Sequence, residues 1–329
     1  MKILVTGSAG HLGEALMRVL GKAGADVVGL DILASPYTQR QGSVADAAFV
    51  RDAMRGADAV LHTATLHKPH VATHTYSDFI ATNVQGTLNL LEAAREARVG
   101  AFVMTSSTSV FGAAMSPAPG QPAVWVDETL QPVPKNIYGV SKLAAENLCE
   151  LFARKHGLLV VILRTSRFFP EADDERGVRE RYADANIKVN EFLNRRCDIE
   201  DIVEAHRCAL ERARGIGFGR YVVSATTPLQ RADVADLRVD AAVVVRARVP
   251  AVADEYARRG WSLFPQLDRV YDNSLARHEL GWQPRHDFAG LLQGLAALPL
   301  DADIRSPLAR IIGSKGYHDQ VFADGPYPV

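Results

Sequence analysis

The first half of the chain alternates short, wholly apolar runs with stretches of helical period. Residues 2–6 (KILVT), 26–31 (DVVGLD), 57–63 (ADAVLHT), 101–106 (AFVMTS) and 158–164 (LLVVILR) read as strands. Runs with no polar alternation belong to a sheet covered on both faces. Between them, residues 14–23, 83–94 and 138–156 carry apolar positions at helical spacing, and the last stretch closes on Gly157. Strands alternating with helices in this way predict βαβ units and an α/β fold with a doubly wound parallel sheet. The second half is less regular. Residues 199–214 read as a helix, 219–224 as a strand, and 273–284 as a short helix ended by Gly281. Residues 115–133, rich in proline, read as a surface excursion, and the charged run 171–181 as a solvated loop.

Composition narrows the function classes. The chain has 329 residues, 47% of them hydrophobic, enough for a large core. With 37 basic against 38 acidic residues the net charge is -1, so charge gives no case for nucleic acid or an anionic membrane as partner. No apolar run approaches the ~20 residues of a membrane-spanning helix, and the N-terminus lacks the pattern of a signal peptide. Cys149, Cys197 and Cys208 are sparse and unpaired in spacing, which fits small buried hydrophobes in a reducing cytoplasm. The expected location is therefore cytoplasmic.

The first strand runs into Gly7-Ser8-Ala9-Gly10-His11-Leu12-Gly13 and then a helix. In this G-x-x-G-x-x-G, Gly7 permits the tight turn, Gly10 lets a pyrophosphate approach the backbone, and Gly13 lets the helix pack close to the strand. The helix amides then face the phosphates. A glycine trio also serves any tight strand-to-helix turn; its position between strand and helix is what points to a dinucleotide and a Rossmann-type sheet. Asp31 ends the second strand, 18 residues after Gly13. A carboxylate there accepts the adenosine ribose hydroxyls and repels a 2′-phosphate, which favours NAD over NADP. Arg40, close in sequence, is a guanidinium able to offset that repulsion. The expected organisation is an NAD-binding domain over 1–170, to which the chain returns at 196–224, a smaller substrate-binding region from 171–195 and 225–299, and a tail over 300–329.

Tyr138 and Lys142 stand at i and i+4, on one face of a helix. They follow the strand that ends in Thr105-Ser106-Ser107-Thr108, at the carboxyl edge where a bound dinucleotide presents its reactive ring. Oxidation of an alcohol needs a base for the hydroxyl proton. A tyrosine with a pKa near ~10 serves if a cation stabilises its phenolate. Lys142 is the candidate cation, and Ser107 the candidate partner for the substrate oxygen.

These segments resemble the extended short-chain dehydrogenase/reductase family, in its NAD-dependent epimerase/dehydratase group. The resemblance rests on GSAGHLG at 7–13, Asp31, HTA at 62–64, NVQGTLNLLEAA at 83–94, TSSTSVFG at 105–112, YGVSK at 138–142, DIEDI at 198–202 and LGWQP at 280–284. It implies Ser107, Tyr138 and Lys142 as the catalytic set. It places Ser43 and Val44 near adenine, Ala64 near the cofactor phosphate and ribose, and Lys142 on the nicotinamide ribose. The expected cofactor residues are Gly7, Gly10, His11, Leu12, Gly13, Asp31, Ser43, Val44, Thr63, Ala64, Asn83, Thr105, Tyr138 and Lys142. The expected substrate contacts are Ser107, Thr108, Arg167 and His67. It also implies a homodimer through a four-helix bundle of the helices at 83–94 and 138–156.

Departures from the family pattern narrow the reaction. Dehydratases of the group carry an Asp-Glu pair where this chain has Thr108 and Ser109, and neither can act as a carboxylic acid. The hydroxyl-rich stretch resembles 4-epimerases and simple dehydrogenases instead. Arg167 stands where nucleotide-sugar enzymes have an asparagine, and it can fork onto a diphosphate or a carboxylate, or serve as a structural ion pair. Only 23 residues, 171–193, separate Pro170 from Asn194, a short insert for clasping a nucleotide, and the stretch from Arg164 to Glu171 also resembles uronate dehydrogenases. The spacing of His67, His70 and His74 suits one helical face, but Pro69 interrupts it and no carboxylate joins, so a polar loop or a substrate contact by His67 is expected and no metal. The preferred reading is a 4-epimerase of a sugar or nucleotide sugar. The alternatives are an NAD-dependent dehydrogenase of a free sugar or uronate, and a non-catalytic NAD-binding sensor or scaffold.

Overall fold

The computed structural model describes residues 1–315. Nine strands are present there: β1 (Lys2–Thr6), β2 (Asp26–Asp31), β3 (Arg40–Gln41), β4 (Ala59–His62), β5 (Ala101–Ser107), β6 (Val124–Val126), β7 (Val160–Thr165), β8 (Phe218–Val223) and β9 (Arg269–Tyr271). Seven form one sheet in the order β3-β2-β1-β4-β5-β7-β8, all parallel. The order reverses at β1, and ligands of such sheets bind outside the carboxyl ends there. Each face is covered. One side packs Leu12, Leu16 and Leu20 of the first helix, with Ile202 and Ala209, onto Val5, Val103 and Leu163. The other packs Leu90, Leu91, Cys149 and Phe152 onto Val60, Phe102 and Ile162. All three cysteines are buried free thiols.

The excursion at 115–133 is not wholly irregular. Its residues Val124–Val126 pair in parallel with Arg269–Tyr271 as a separate two-stranded sheet. A second core, with Leu193, Leu237, Val245, Tyr256 and Phe288, lies behind it. Residues 300–315 are only partly a tail. The helix Pro307–Ile312 starts on a Ser306 side-chain cap and returns to the main core through Ile312. Residues 316–329 of the expected tail lie outside the described residues.

Two motifs have a structural account. Asp201 accepts hydrogen bonds from the amides of Arg285 (2.8 Å) and His286 (2.9 Å), and its carbonyl accepts from Trp282 Nε1 (2.9 Å). The segments 198–202 and 280–284 thus lock the helix Ile199–Ile216 to the returning chain. His62 is buried between Thr6 Oγ1 (2.8 Å) and Thr87 Oγ1 (3.0 Å), and burial holds it neutral, with its pKa down to about 3.

Candidate active site

The glycine loop is set by contact as well as by turn geometry. Gly7 has φ +73°, and a Cβ on it would lie 2.7 Å from Ala64 N; a Cβ on Gly13 would lie 1.9 Å from Gly7 O. Gly10 is the N-cap of the helix His11–Lys22, and no side chain caps it. The first-turn amides therefore have no side-chain partner, and an N-terminus of this kind accepts a phosphate. Asp31 is buried at the end of β2, with one oxygen accepting from Ala9 N (2.9 Å) and the other from Leu33 N (2.9 Å). It ties the glycine loop to β2 and has lone pairs left for ribose hydroxyls. Arg40 is ion-paired with Asp52, so its charge is already matched.

A cleft of about 780 Å³ runs along the carboxyl ends of the strands, lined at one end by Asp31, Ile32, Leu33, Ser43 and Val44 and at the other by Ser107, Thr108, Tyr138 and Arg167. Gly7, Gly10, His11, Leu12, Gly13, Thr63, Ala64, His67 and Thr105 also line it. Ile32 and Leu33 are more than half exposed beside Asp31, an apolar flank suited to an adenine. These residues fit NAD: uncapped amides for the pyrophosphate, a carboxylate for the ribose and an apolar seat for the base. Two expected residues do not line the cleft. Asn83 lies behind the wall, its amide bonded to Ser141 Oγ, Leu66 N and O, and Thr65 Oγ1. It sits in a π-helical turn, Ile80–Gln85, a local widening of a kind frequent at functional sites.

Lys142 is the other. The helix Ile137–His156 starts on the side chain of Asn136, which accepts from Gly139 N (3.1 Å). This start puts Tyr138 in the first turn and Lys142 in the next. Lys142 Nζ donates to Thr105 O (2.7 Å), and burial pulls its pKa down to about 8. Burial pushes the Tyr138 phenol up to about 12, against a hydrogen bond with Ser107 that lowers it. At the phenol, desolvation outweighs the Ser107 hydrogen bond. Thr105 is fixed from the opposite face by His206. The His206 Nδ1–H donates to Ile202 O (2.7 Å), so Nε2 accepts from Thr105 Oγ1 (2.7 Å).

Arg167 lines the cleft and is engaged within the chain. Both of its prongs already hold carboxylates of the same chain: Asp173 (2.7 Å), Asp174 (2.8 Å) and Glu191 (2.9 Å). These partners hold the guanidinium charged. The fork for a substrate anion is thus occupied, and the run 171–181 is not simply a solvated loop: Asp173 and Asp174 are buried, and residues Arg176–Arg181 form a short helix. The Arg167 side chain is part-buried, and the three carboxylates match its charge there. His67, His70 and His74 stack edge to face in sequence, with centroids 4.5 and 5.0 Å apart. Lys68, Phe169, Lys135, Arg269 and Tyr271 also line the cleft, and no motif marked them.

Such a cleft belongs to the extended short-chain dehydrogenase/reductases, whose chemistry is hydride transfer to or from a nicotinamide. Within that class the chain belongs to the NAD-dependent epimerase/dehydratase family, whose sequence profile matches residues 3–224. It is 30% identical over 324 residues to a dTDP-glucose 4,6-dehydratase of Streptomyces antibioticus, covering 88% of this chain and 89% of that one. It is 33% identical over 189 residues to a UDP-glucose 4-epimerase of Streptomyces lividans, about half of each chain (54% and 54%). Among solved structures, a short-chain dehydrogenase/reductase superfamily protein from Agrobacterium tumefaciens with bound NAD superposes with a TM-score of 0.63 at 23% identity, over 90% of this chain and 96% of that one. The UDP-N-acetylglucosamine 4-epimerase from Bacillus cereus gives 0.61 at 21%, over 90% and 97%. Those two likenesses speak to the fold. The protein is an enzyme of this family, and its cofactor is NAD. No helix among the described residues is long and apolar enough to cross a membrane.

Proposed function

We propose that this enzyme is a 4-epimerase, inverting one secondary hydroxyl of a sugar or nucleotide sugar by reversible oxidation in the cytoplasm. The observation that carries the reading is the wall beside Ser107. Thr108 and Ser109 form a 3-10 turn there, with Ser107 Oγ accepting from Ser109 N (3.1 Å). That turn offers hydroxyls and no carboxylic acid to protonate a leaving group. Oxidation and re-reduction at one carbon need only a proton carrier and a hydride acceptor. NAD supplies the hydride acceptor. Ser107 orients the substrate oxygen, Tyr138 carries the proton, and Lys142, anchored on Thr105 O, supports the charge that the phenol oxygen gains. The carboxylates around Arg167 weigh against a sugar acid held by that residue, and so against the uronate dehydrogenase.

The test incubates the NAD-loaded protein with paired UDP-hexoses and free hexoses. Proton NMR follows the sugar and absorbance at 340 nm follows NADH. The expected result is the C4 epimer with no accumulation of NADH. NADH rising in step with an oxidised sugar would make the protein a dehydrogenase, and a 4-keto-6-deoxy product would make it a dehydratase.

The same reading includes a homodimer. The helices Tyr76–Phe79 and Ile137–His156 and the π-turn between residues 80 and 85 leave Tyr76, Ile80, Val140 and Leu151 exposed, while Leu91 and Phe152 are buried within the chain. A helix apolar on its outer side needs a partner beyond its own sheet. Light scattering should give twice the chain mass of 35.8 kDa; the single mass at micromolar concentration would remove the dimer.

A further inference from the structure

Two loops meet above the cleft. The loop after β4 carries His67 and Lys68, and the loop after β7 carries Phe168, Phe169, Asp173 and Asp174. In the sheet, β4 and β7 flank β5, whose end holds Thr105 and Ser107. Contact between these loops therefore crosses over the end of β5. The Phe169 ring stacks on His67, with centroids 5.6 Å apart and planes 12° from parallel. Phe169 also lies 5.8 Å from His11, the first residue of the glycine-loop helix, and 4.4 Å from Phe168. Beside the rings Lys68 pairs with Asp174, which Arg167 also holds. Ser314 Oγ donates to Glu171 Oε1 (2.9 Å), tying the same loop to the returning C-terminal segment.

A dinucleotide whose pyrophosphate rests on the first-turn amides of the His11 helix and whose reactive end reaches Ser107 and Tyr138 runs from the end of β1 to the end of β5. The bridge of His11, Phe169 and His67 spans that path. We infer that this bridge, closed by the Lys68–Asp174 ion pair, is a roof over the nicotinamide half of the cofactor site, and that it holds NAD in place between turnovers. Release requires the His67–Phe169 stack and the Lys68–Asp174 pair to part together, a loop motion of the kind that limits many ligand exchanges. The inference concerns only the cofactor, so it stands or falls apart from the epimerase reading.

A roof and a direct contact leave different kinetic signatures. A lost contact speeds release alone, whereas a lost roof speeds both entry and release. The experiment loads the purified full-length protein with isotope-labelled NAD and chases it with a large excess of unlabelled NAD. Association is followed separately by protein fluorescence. Wild-type protein should release label over minutes or longer. Phe169→Ala and Asp174→Asn should each speed release about tenfold or more, with association faster as well. High salt should speed release from wild type, by screening the partly exposed Lys68–Asp174 pair, and have little effect in Asp174→Asn. Phe169→Leu keeps the bulk but loses the flat ring, and it carries the test if the alanine variant fails to fold. Release within seconds from wild type, or wild-type rates in the variants, would overturn the roof. Faster release at unchanged association would also overturn it and make Phe169 a direct contact. Retention of NAD by a protein that epimerises no sugar would leave the roof standing and remove only the function proposed above.

Discussion

Tyr138→Phe should lower turnover by about two orders of magnitude or more, the usual scale for loss of a general acid–base group. The substitution is close to isosteric. Tyr138 is buried in the first turn of its helix, and a phenylalanine ring fills the same space, so folding should change little. What it deletes is the phenol oxygen that bonds with Ser107 and, on the proposed mechanism, carries the substrate proton. The resting phenol holds that proton firmly, since burial has pushed its pKa up to about 12. No other group at Ser107 replaces it: Thr108 and Ser109 are alcohols with still weaker acidity. The measurement is kcat on whichever sugar pair the wild-type enzyme interconverts, beside the rate of NAD release. A fall in kcat with unchanged NAD release places Tyr138 in the chemistry. Near-normal kcat would remove it.

The parts of this site that were legible in the sequence are those that depend on local geometry. Gly7 and Gly13 are read from a turn that any side chain would obstruct. Asp31 is read from its distance along one βα unit, and Tyr138 and Lys142 from one helical turn. The buried strands are equally plain, because a strand covered on both faces has no polar positions to disguise it. What was hidden depends on partners far along the chain. The three-residue strand Val124–Val126 exists only because it pairs with Arg269–Tyr271, nearly 150 residues away. Its proline-rich surroundings read as loop. The helix Pro307–Ile312 is short and is held by docking on the main core, so a composition rich in turn residues concealed it. Arg167 was visible as a cation at a substrate position, but its three carboxylates come from a loop and a helix whose docking no periodicity reveals. Lys142 stands on its helix as read, and its burial there is what the sequence did not show. Sequence shows which charges are neighbours along a helix and not how far burial weakens each one.

Removing Glu191 should cost more stability than any single surface change, about 3–5 kcal/mol, because three arginines converge on it. Its carboxylate is fully buried at the end of the helix Asp184–Glu191, accepts from Arg167 Nη1 (2.9 Å) and Arg196 Nε (2.9 Å), and forms an ion pair with Arg195 Nη2 (3.1 Å). Glu191→Gln keeps the shape but replaces one acceptor oxygen with an N–H₂ that faces guanidinium donors. Arg196 is itself buried and loses its only carboxylate partner among the described residues, its remaining bonds going to Phe169 O. Asp173 contacts both Arg167 and Arg195 and offsets part of the loss, which argues for the lower half of that range. At about 1.5 °C per kcal/mol for a chain of 329 residues, the melting temperature should fall by roughly 5 °C. Acid gives an independent check with a definite sign. Burial opposes ionisation of Glu191, but the arginines win and hold its pKa down to about 2, below the ordinary 4.5. A depressed folded-state pKa stabilises the fold fully above the ordinary value, and that contribution is lost as pH falls from about 4.5 toward about 2. The glutamine variant lacks this titration. The gap in stability between wild type and variant should therefore be widest near neutral pH and shrink across that acid window. Thermal unfolding of both proteins at pH 7 and pH 3 measures it. A gap below about 1 kcal/mol at pH 7, the scale of an exposed pair, would show that the three arginines do not depend on this carboxylate. A gap that stays constant into acid would show that the loss comes from packing, not from charge.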